Sequence, residues 1–334
     1  MMGGCSLRAI ALVVAAASAK RDRRVAVWAS ASPQYVAGTL AQLRNASWRG
    51  LFDRVMLGGC GWYVDKVNGT LEVNMTEYEA PGCQRVLQAL ADLDLDPDMW
   101  VGGLPDVALE KPKTFVDSAV ALVASGRGTF RNLAGIHFDE ETECAPRATL
   151  ANFTKWIEVM DDLSEAVHER RTEITVAVQA MFGIEDAPYV KNAPCLEAPW
   201  KYETNPELLA LLRNSKVDRW IEMDTYYFSL SRYYDALDWY RDAYPPSTLG
   251  VAVANADVNP LSSPDEYLAR ARAWHGAKQD DFGRAQPPLD WLSVFMVPVD
   301  DAWREHLWRW KTGCDGCAPL ACFEMDVPCD RAPR

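Results

Sequence analysis

Short apolar strands alternate with amphipathic helices through most of this 334-residue chain. Eight strand–helix units follow one another between residues 25 and 311, with no break in composition. Parallel strands that are each followed by a helix form one sheet, which the helices cover. Eight units predict an α/β fold of the (β/α)8 or TIM-barrel type, in which the sheet closes on itself. A doubly wound open sheet is the alternative, but it usually carries fewer units.

The predicted strands are apolar runs or stretches with apolar residues at alternate positions. They are 25–29, 54–58, 99–103, 133–139, 174–181, 219–228, 249–254 and 292–297. The predicted helices follow from a periodicity of about 3.6 residues. They are 33–43, 85–93, 114–125, 150–169, 206–213, 230–244, 265–276 and 301–311.

The first 19 residues have the pattern of a secretory signal peptide. Arg8 precedes an apolar run at 9–17, and small residues at 18–19 form a cleavage site. The run is too short to span a bilayer. We therefore assign residues 1–19 to a signal peptide, 20–313 to the barrel and 314–334 to a short Cys-rich C-terminal appendix. The expected location is secreted, or the lumen of the secretory pathway, with no membrane span.

The cysteines also fit an oxidising compartment. Loss of the signal peptide removes Cys5 and leaves an even number of cysteines, which predicts disulfides. They are Cys60, Cys83, Cys144, Cys195, Cys314, Cys317, Cys322 and Cys329. The last four could instead hold zinc, and the sequence does not determine the pairing. N-glycosylation tripeptides begin at Asn45, Asn68, Asn74 and Asn152.

Charge and composition narrow the choice of partner. The net charge of −13 argues against nucleic acid or an anionic membrane surface. The 13 tryptophans are a high number; most are expected in the core, but exposed indoles can stack on sugars. We predict a carbohydrate substrate and no cofactor, and the oligomeric state is left open.

The fourth predicted strand ends in acidic residues. Side chains alternate along a strand, so His137, Asp139 and Glu141 share one face, while Ile136 and Phe138 share the other. The carboxyl ends of the strands form the active face of a barrel. Titratable groups are costly to bury there, and carboxylates this close push their pKa values apart, which suits acid–base chemistry. The alternative is an acidic strand end that faces water.

Further polar side chains are predicted at the same end of the barrel. Gln179 lies on the fifth strand. On the sixth strand, Ile221 and Met223 are expected to pack outward on the helices. The side chains between and after them would then face inward: Glu222, Asp224 and Tyr226. An acidic site that also offers amide and phenol groups suits a neutral polyhydroxylated ligand better than a phosphorylated one.

The fourth strand resembles that of the family 18 glycoside hydrolases, the chitinases and endo-β-N-acetylglucosaminidases. That family has an Asp-x-x-Asp-x-Asp-x-Glu motif on its fourth strand. Here Asp139 and Glu141 match the last two acids, whereas Ala134 and His137 occupy the positions of the first two. The order of strands and helices is similar to that of the family over nearly the whole predicted mature chain. The chain therefore resembles a divergent member of family 18.

Two other motifs of that family are kept in part. Its Ser-x-Gly-Gly motif on strand three corresponds to Trp100–Val101–Gly102–Gly103, which keeps the glycines but not the serine. Its Met-x-Tyr-Asp motif on strand six is similar to Met223–Asp224–Thr225–Tyr226, in which the phenol and the carboxylate are transposed.

The resemblance implies hydrolysis of a glycan that contains N-acetylglucosamine. It implies that Glu141 protonates the glycosidic oxygen and that Asp139 orients the N-acetyl group of the substrate, which attacks the anomeric carbon. Asp224 or Tyr226 would bind the acetamido carbonyl. The residues implied in substrate binding are Trp100, His137, Gln179, Met223, Asp224 and Tyr226.

The departures from the family leave alternatives open. A cationic His137 would hold Asp139 ionised, whereas a neutral imidazole could relay a proton. The eighth strand has residues 295–297, Phe-Met-Val, where the family has a floor tryptophan. A catalytically inactive carbohydrate-binding glycoprotein on the same scaffold is therefore one alternative function. A metal-dependent barrel hydrolase that uses His137, Asp139, Glu141 and Asp224 is another.

Overall fold

A computed structural model of the chain describes residues 23–129, 133–140, 150–178, 206–222, 249–254, 278–279, 285–286, 291–295, 299 and 301–312. The predicted signal peptide, the Cys-rich appendix and the predicted helices at 230–244 and 265–276 lie outside these residues.

Parallel strands close into a barrel, as predicted. The described strands are β1 (Arg24–Ser30), β2 (Arg54–Gly58), β3 (Trp62–Val64), β4 (Leu71–Val73), β5 (Pro97–Gly102), β6 (Gly135–Glu140), β7 (Glu173–Val178), β8 (Arg219–Glu222), β9 (Leu249–Ala254), β10 (Lys278–Gln279), β11 (Ala285–Gln286) and β12 (Trp291–Phe295). The barrel order is β1-β2-β5-β6-β7-β8-β9-β12, and β12 pairs with β1 to close the ring. Two antiparallel pairs, β3–β4 and β10–β11, lie outside the ring.

Helices cover the outer surface of the barrel. The described helices are α1 (Val36–Arg44), α2 (Met75–Tyr78), α3 (Pro81–Ala91), α4 (Asp106–Glu110), α5 (Pro112–Thr129), α6 (Leu150–His168), α7 (Pro206–Asn214) and α8 (Asp301–Thr312). Phe115 of α5 packs edge-on against Phe138 of β6, and Trp156 of α6 packs against Trp220 of β8. The largest apolar core therefore lies between the barrel and its helices. None of the described helices has the length and apolar character of a transmembrane helix.

A smaller apolar cluster fills the inside of the barrel. It consists of Ala26, Trp28, Met56, Ala177, Ile221 and Trp291, with Trp100 and Phe295 packed against it. The prediction that Ile221 faces outward is therefore wrong. Arg219, two residues earlier, faces the interior charges described below, and the two-residue period of a strand carries Ile221 to the same side.

This correction removes the argument that turned the acids of the sixth strand inward. The prediction for Glu222, Asp224 and Tyr226 depended on Ile221 and Met223 packing outward. Those side chains lie outside what the structure describes. The resemblance still supports a part in the site for Asp224 and Tyr226, and it does not include Glu222.

Buried ion pairs close the amino end of the barrel. Nε and Nη2 of Arg54 donate to Asp98 at 2.6–2.9 Å, and Nη1 donates to Glu173 Oε2 at 2.5 Å. The side chain of Asp98 is 0% exposed and that of Arg54 is 8% exposed. Burial lowers the pKa of Arg54. The attraction and hydrogen bonds of the two carboxylates together raise it by more than burial lowers it, so the net shift is upward. The guanidinium therefore stays charged.

A tryptophan and two further arginines complete this layer. The guanidinium carbon of Arg219 lies 3.5 Å from the centre of the Trp291 ring, and that of Arg24 lies 5.2 Å from it. Gly135 leaves the room that the charges need: a Cβ there would lie 2.5 Å from Arg54 Nη2. The layer thus depends on residues from at least five strands.

A disulfide ties the connection between β2 and β5. Cys60 follows β2, Cys83 lies near the start of α3, and their sulfur atoms are bonded. The hairpin β3–β4 and α2 lie in the segment between them. The predicted disulfide bonding is thus confirmed for this pair, and the other cysteines of the chain lie outside the described residues.

Candidate active site

Strand β6 directs two polar side chains into the barrel. His137 is fully buried, and Asp139 is partly exposed one layer nearer the carboxyl ends of the strands, which we call the mouth. Ile136 and Phe138 point outward into the apolar core. The predicted alternation along the fourth barrel strand is therefore confirmed as far as the structure describes it. Glu141, the predicted acid, lies just beyond the described residues.

Both ring nitrogens of His137 have hydrogen-bond partners. Trp28 Nε1 on β1 donates to His137 Nε2 at 2.9 Å, and His137 Nδ1 lies 2.8 Å from Thr175 Oγ1 on β7. Because an indole N–H can only donate, Nε2 must accept. A neutral ring therefore carries its proton on Nδ1 and donates it to the hydroxyl oxygen of Thr175.

The imidazole of His137 is neutral. Burial, followed by the nearby charges of Arg54 and Arg219, lowers its pKa to about 3. Of the two alternatives that the sequence left open, the cationic His137 is therefore excluded at neutral pH. The charge that would balance an ionised Asp139 has to come from elsewhere.

The neutral His137 predicts how stability depends on pH. An unfolded histidine binds a proton below about pH 6.5, whereas folded His137 does so only near pH 3. Between these values the unfolded state binds one more proton, so this residue's contribution falls as the pH falls, by about 1.4 kcal/mol per unit. Urea unfolding of the wild type and of His137→Gln between pH 4 and 7.5 measures how the free energy of unfolding depends on pH. We expect the slope to be shallower in the variant; equal slopes would show that folded His137 is already protonated.

Asp139 accepts a hydrogen bond from a neighbouring strand. Trp100 Nε1 on β5 donates to Asp139 Oδ2 at 3.1 Å. Space for the Trp100 ring is provided by Gly58 at the end of β2, where a Cβ would lie 2.7 Å from the ring atom Cε3. The carboxylate is thus held by an indole at the mouth of the barrel.

Two partly exposed aromatic rings form a wall beside Asp139. Trp100 and Phe295 lie with ring centres 6.3 Å apart and planes at 79°, and we call them the aromatic corner. Trp28 lies beneath and meets Phe295 edge-on at 5.7 Å. Trp28 is not among the predicted site residues. Trp28 lies two residues after Ala26 on β1, so both face the inside of the barrel, and this alternation could have predicted its position.

The structure brings together three of the predicted site residues: Trp100, His137 and Asp139. The remaining predicted site residues lie outside the described part of the chain: Glu141, Gln179, Met223, Asp224 and Tyr226. A metal site that includes His137 is disfavoured, because Trp28 uses the lone pair of Nε2 and Nδ1 carries the proton. Within the described segments, no three His, Cys, Asp or Glu side chains are grouped to bind a cation.

Comparison with solved structures identifies the fold. A chitinase from Chromobacterium violaceum ATCC 12472 matches 86% of this chain and 98% of its own, with a TM-score of 0.55 and 14% identity. Catalytic domain 2 of an Ostrinia furnacalis Group II chitinase matches 89% and 98%, with a TM-score of 0.52 and 12% identity. A Bacteroides thetaiotaomicron chitinase matches 86% and 96%, with a TM-score of 0.52 and 10% identity.

Sequence comparison alone does not detect this likeness. No protein-family model matches the chain, and no curated protein matches it. At 10–14% identity, the structural match shows the fold and not the activity. The predicted resemblance to chitinases is therefore confirmed at the level of the barrel.

Proposed function

We propose that the protein is a secreted glycoside hydrolase that cleaves a glycan containing N-acetylglucosamine. One observation carries the proposal: Asp139, on the inner face of a barrel strand, is partly exposed at the mouth and accepts a hydrogen bond from Trp100 beside Phe295. A carboxylate next to partly exposed aromatic rings suits a sugar, whose ring has apolar faces and polar edges. The fold shared with solved chitinases supports the same conclusion.

In the proposed reaction the substrate supplies its own nucleophile. Glu141 donates a proton to the glycosidic oxygen as the bond from that oxygen to the anomeric carbon breaks. The acetamido oxygen attacks the anomeric carbon and forms a cyclic cation, while ionised Asp139 orients the acetamido N–H and stabilises the positive charge. Water then attacks the anomeric carbon as Glu141 takes a proton from it. The bond from that carbon to the acetamido oxygen breaks, which restores the N-acetyl group and the acid.

His137 has a limited part in this scheme. Its neutral ring is engaged by Trp28 and Thr175, so it brings neither a positive charge nor a second carboxylate to Asp139. The N–H of Trp100 donates to Asp139, and a hydrogen bond donated to a carboxylate favours its ionised form. The proposed reaction thus needs no proton shared between neighbouring acids of β6.

The remaining substrate contacts are proposed from the resemblance. Gln179 and Met223 would line the sugar site, and Asp224 or Tyr226 would bind the acetamido carbonyl. Trp100 would contact an apolar sugar face as well as Asp139, and His137 would lie below the bound sugar. The Cys60–Cys83 disulfide supports the proposed secretion, because such bonds persist in oxidising compartments.

One observation favours a second candidate, a catalytically inactive sugar-binding protein. The family carries an acid at the position of His137, and here a neutral imidazole fills it. A protein that has lost this acid could keep the barrel mouth and the aromatic corner and still bind glycans.

A substrate screen tests the proposed function against this candidate. The secreted protein is incubated with chito-oligosaccharides and with N-glycans between pH 4 and 8, and the products are identified by mass spectrometry. We expect cleavage next to N-acetylglucosamine and little cleavage of the matched oligosaccharides without N-acetyl groups, since these lack the nucleophile. Binding without cleavage at every pH would contradict the hydrolase and favour the inactive binder.

A further inference from the structure

We propose that Trp100 is a positioning residue, whose indole N–H holds the Asp139 carboxylate in one orientation at the mouth of the barrel. The inference rests on the proposed function, in which Asp139 meets the acetamido group of the substrate. The contact itself is a measurable property of the folded chain, whether or not the protein is an enzyme.

The chemistry of the indole makes this contact sensitive to the charge of Asp139. Trp100 Nε1 lies 3.1 Å from Asp139 Oδ2 and can only donate a hydrogen bond. An ionised carboxylate accepts at either oxygen, whereas a proton on Oδ2 would face the indole proton and break the bond. The contact therefore favours the ionised form that the proposed reaction requires, and it directs the other oxygen, Oδ1, elsewhere.

The packing around Trp100 holds its ring in place. Gly58 lies against the ring face, where a Cβ would be 2.7 Å from Cε3 and 3.2 Å from Cζ3. Phe295 meets the ring edge-on at 6.3 Å. The Trp100 ring therefore cannot move toward β2 without a clash with the backbone of Gly58. The absence of a side chain at position 58 is what allows the indole to reach Asp139.

His137 does not perform the same task. Its nitrogens are engaged by Trp28 on one side and Thr175 on the other. The two inward polar side chains of β6 thus receive separate indole donors, from β1 for His137 and from β5 for Asp139. Trp28→Phe and Trp100→Phe therefore form a matched pair of substitutions. Each removes one indole N–H and leaves the hydrogen bond of the other indole in place.

Nuclear magnetic resonance of the tryptophan indole groups tests the contact without an activity assay. The Trp100 resonance is assigned by its loss in Trp100→Phe, a variant that keeps an aromatic ring but deletes the N–H. In the wild type we expect this resonance to move in one transition as Asp139 gains a proton on acidification. The transition should vanish in Asp139→Asn and lose most of its amplitude in Gly58→Ala. Trp28→Phe deletes the N–H that serves His137, so in this variant the midpoint of the Trp100 transition should not move to higher pH.

If hydrolysis is detected, its pH profile gives a second readout. Loss of a hydrogen-bond donor to a carboxylate raises the pKa of that group. In Trp100→Phe the acid limb of the pH profile of kcat should therefore move to higher pH, by about one pH unit. Loss of orientation should also lower kcat by up to about 100-fold. Trp28→Phe should not move this limb upward, because its N–H serves His137.

The outcomes separate this inference from the proposed function. A Trp100 resonance that does not titrate, or one that still titrates in Asp139→Asn, would overturn the positioning role. The expected transition in a protein that hydrolyses no glycan would support the contact and reject the hydrolase. If Trp100→Phe does not fold, Asp139→Asn and Gly58→Ala test the same contact from its two other sides.

Discussion

Replacement of Asp98 by asparagine is expected to lower the free energy of unfolding by about 3–5 kcal/mol. Asparagine keeps the shape of the side chain but removes the charge that neutralises Arg54. The guanidinium would remain buried, with Glu173 as its remaining ionic partner in the described residues, and that carboxylate is 42% exposed and partly hydrated. Leaving a buried charge without its partner is costly, whereas the intact pair adds much less.

Urea unfolding under non-reducing conditions measures this loss. The matched control is Asp117→Asn, which breaks an exposed pair with Lys113 on α5 and should change stability little. Gly135→Ala should also destabilise the protein, since its Cβ would lie 2.5 Å from both Arg54 Nη2 and the carbonyl oxygen of Glu173. A loss below about 1 kcal/mol for Asp98→Asn would show that water reaches the pair.

The sequence was sufficient for the barrel and for most of its regular elements. The predicted bounds of β2 and β9 are the observed ones, because each contains an apolar run that stands out from its neighbours in the chain. Helices α6 and α8 begin at the predicted residues, Leu150 and Asp301. The hairpin β3–β4 was missed because each of its strands has three residues, too few to show a period of two.

The direction of side chains on β8 could not be predicted from polarity. In a closed barrel both faces of a strand are buried, so apolar residues occur on both, and Trp220 and Ile221 are equally buried. What decides the direction is Arg219, which faces Glu173 across the amino end of the barrel. That partner lies 46 residues away in the chain, so no local pattern reveals it.

The candidate site shows the same division between local and distant information. The inward direction of His137 and Asp139 follows from alternation along one strand, and the sequence predicted it. The partners come from other strands: Trp28 lies 109 residues from His137, and Trp100 lies 39 residues from Asp139. The charge state of His137 depends on those partners and on burial, so the sequence left it open.

Replacement of Glu141 by glutamine is expected to lower kcat by about 10²–10⁴-fold on the glycan that the screen identifies. Glutamine keeps the shape and the hydrogen bonding of the side chain but has no proton to transfer. KM should change little, because the lost interaction acts in the transition state and not in the bound substrate. Glu140→Gln, one residue earlier on the strand, removes the same kind of charge and should retain most of the activity.

A change of leaving group shows whether the lost step is proton transfer. An aryl glycoside with an acidic phenol as leaving group needs little protonation, so Glu141→Gln should lose far less activity on it than on a sugar leaving group. Asp139→Asn should be slow on both substrates, since an amide cannot stabilise the positive charge that forms as the N-acetyl group cyclises. Equal losses for Glu141→Gln on the two substrates would mean that Glu141 is not the general acid. Wild-type activity in that variant would lead to the same conclusion, and the acid would then have to be sought among Asp224 and the other predicted carboxylates of the mouth.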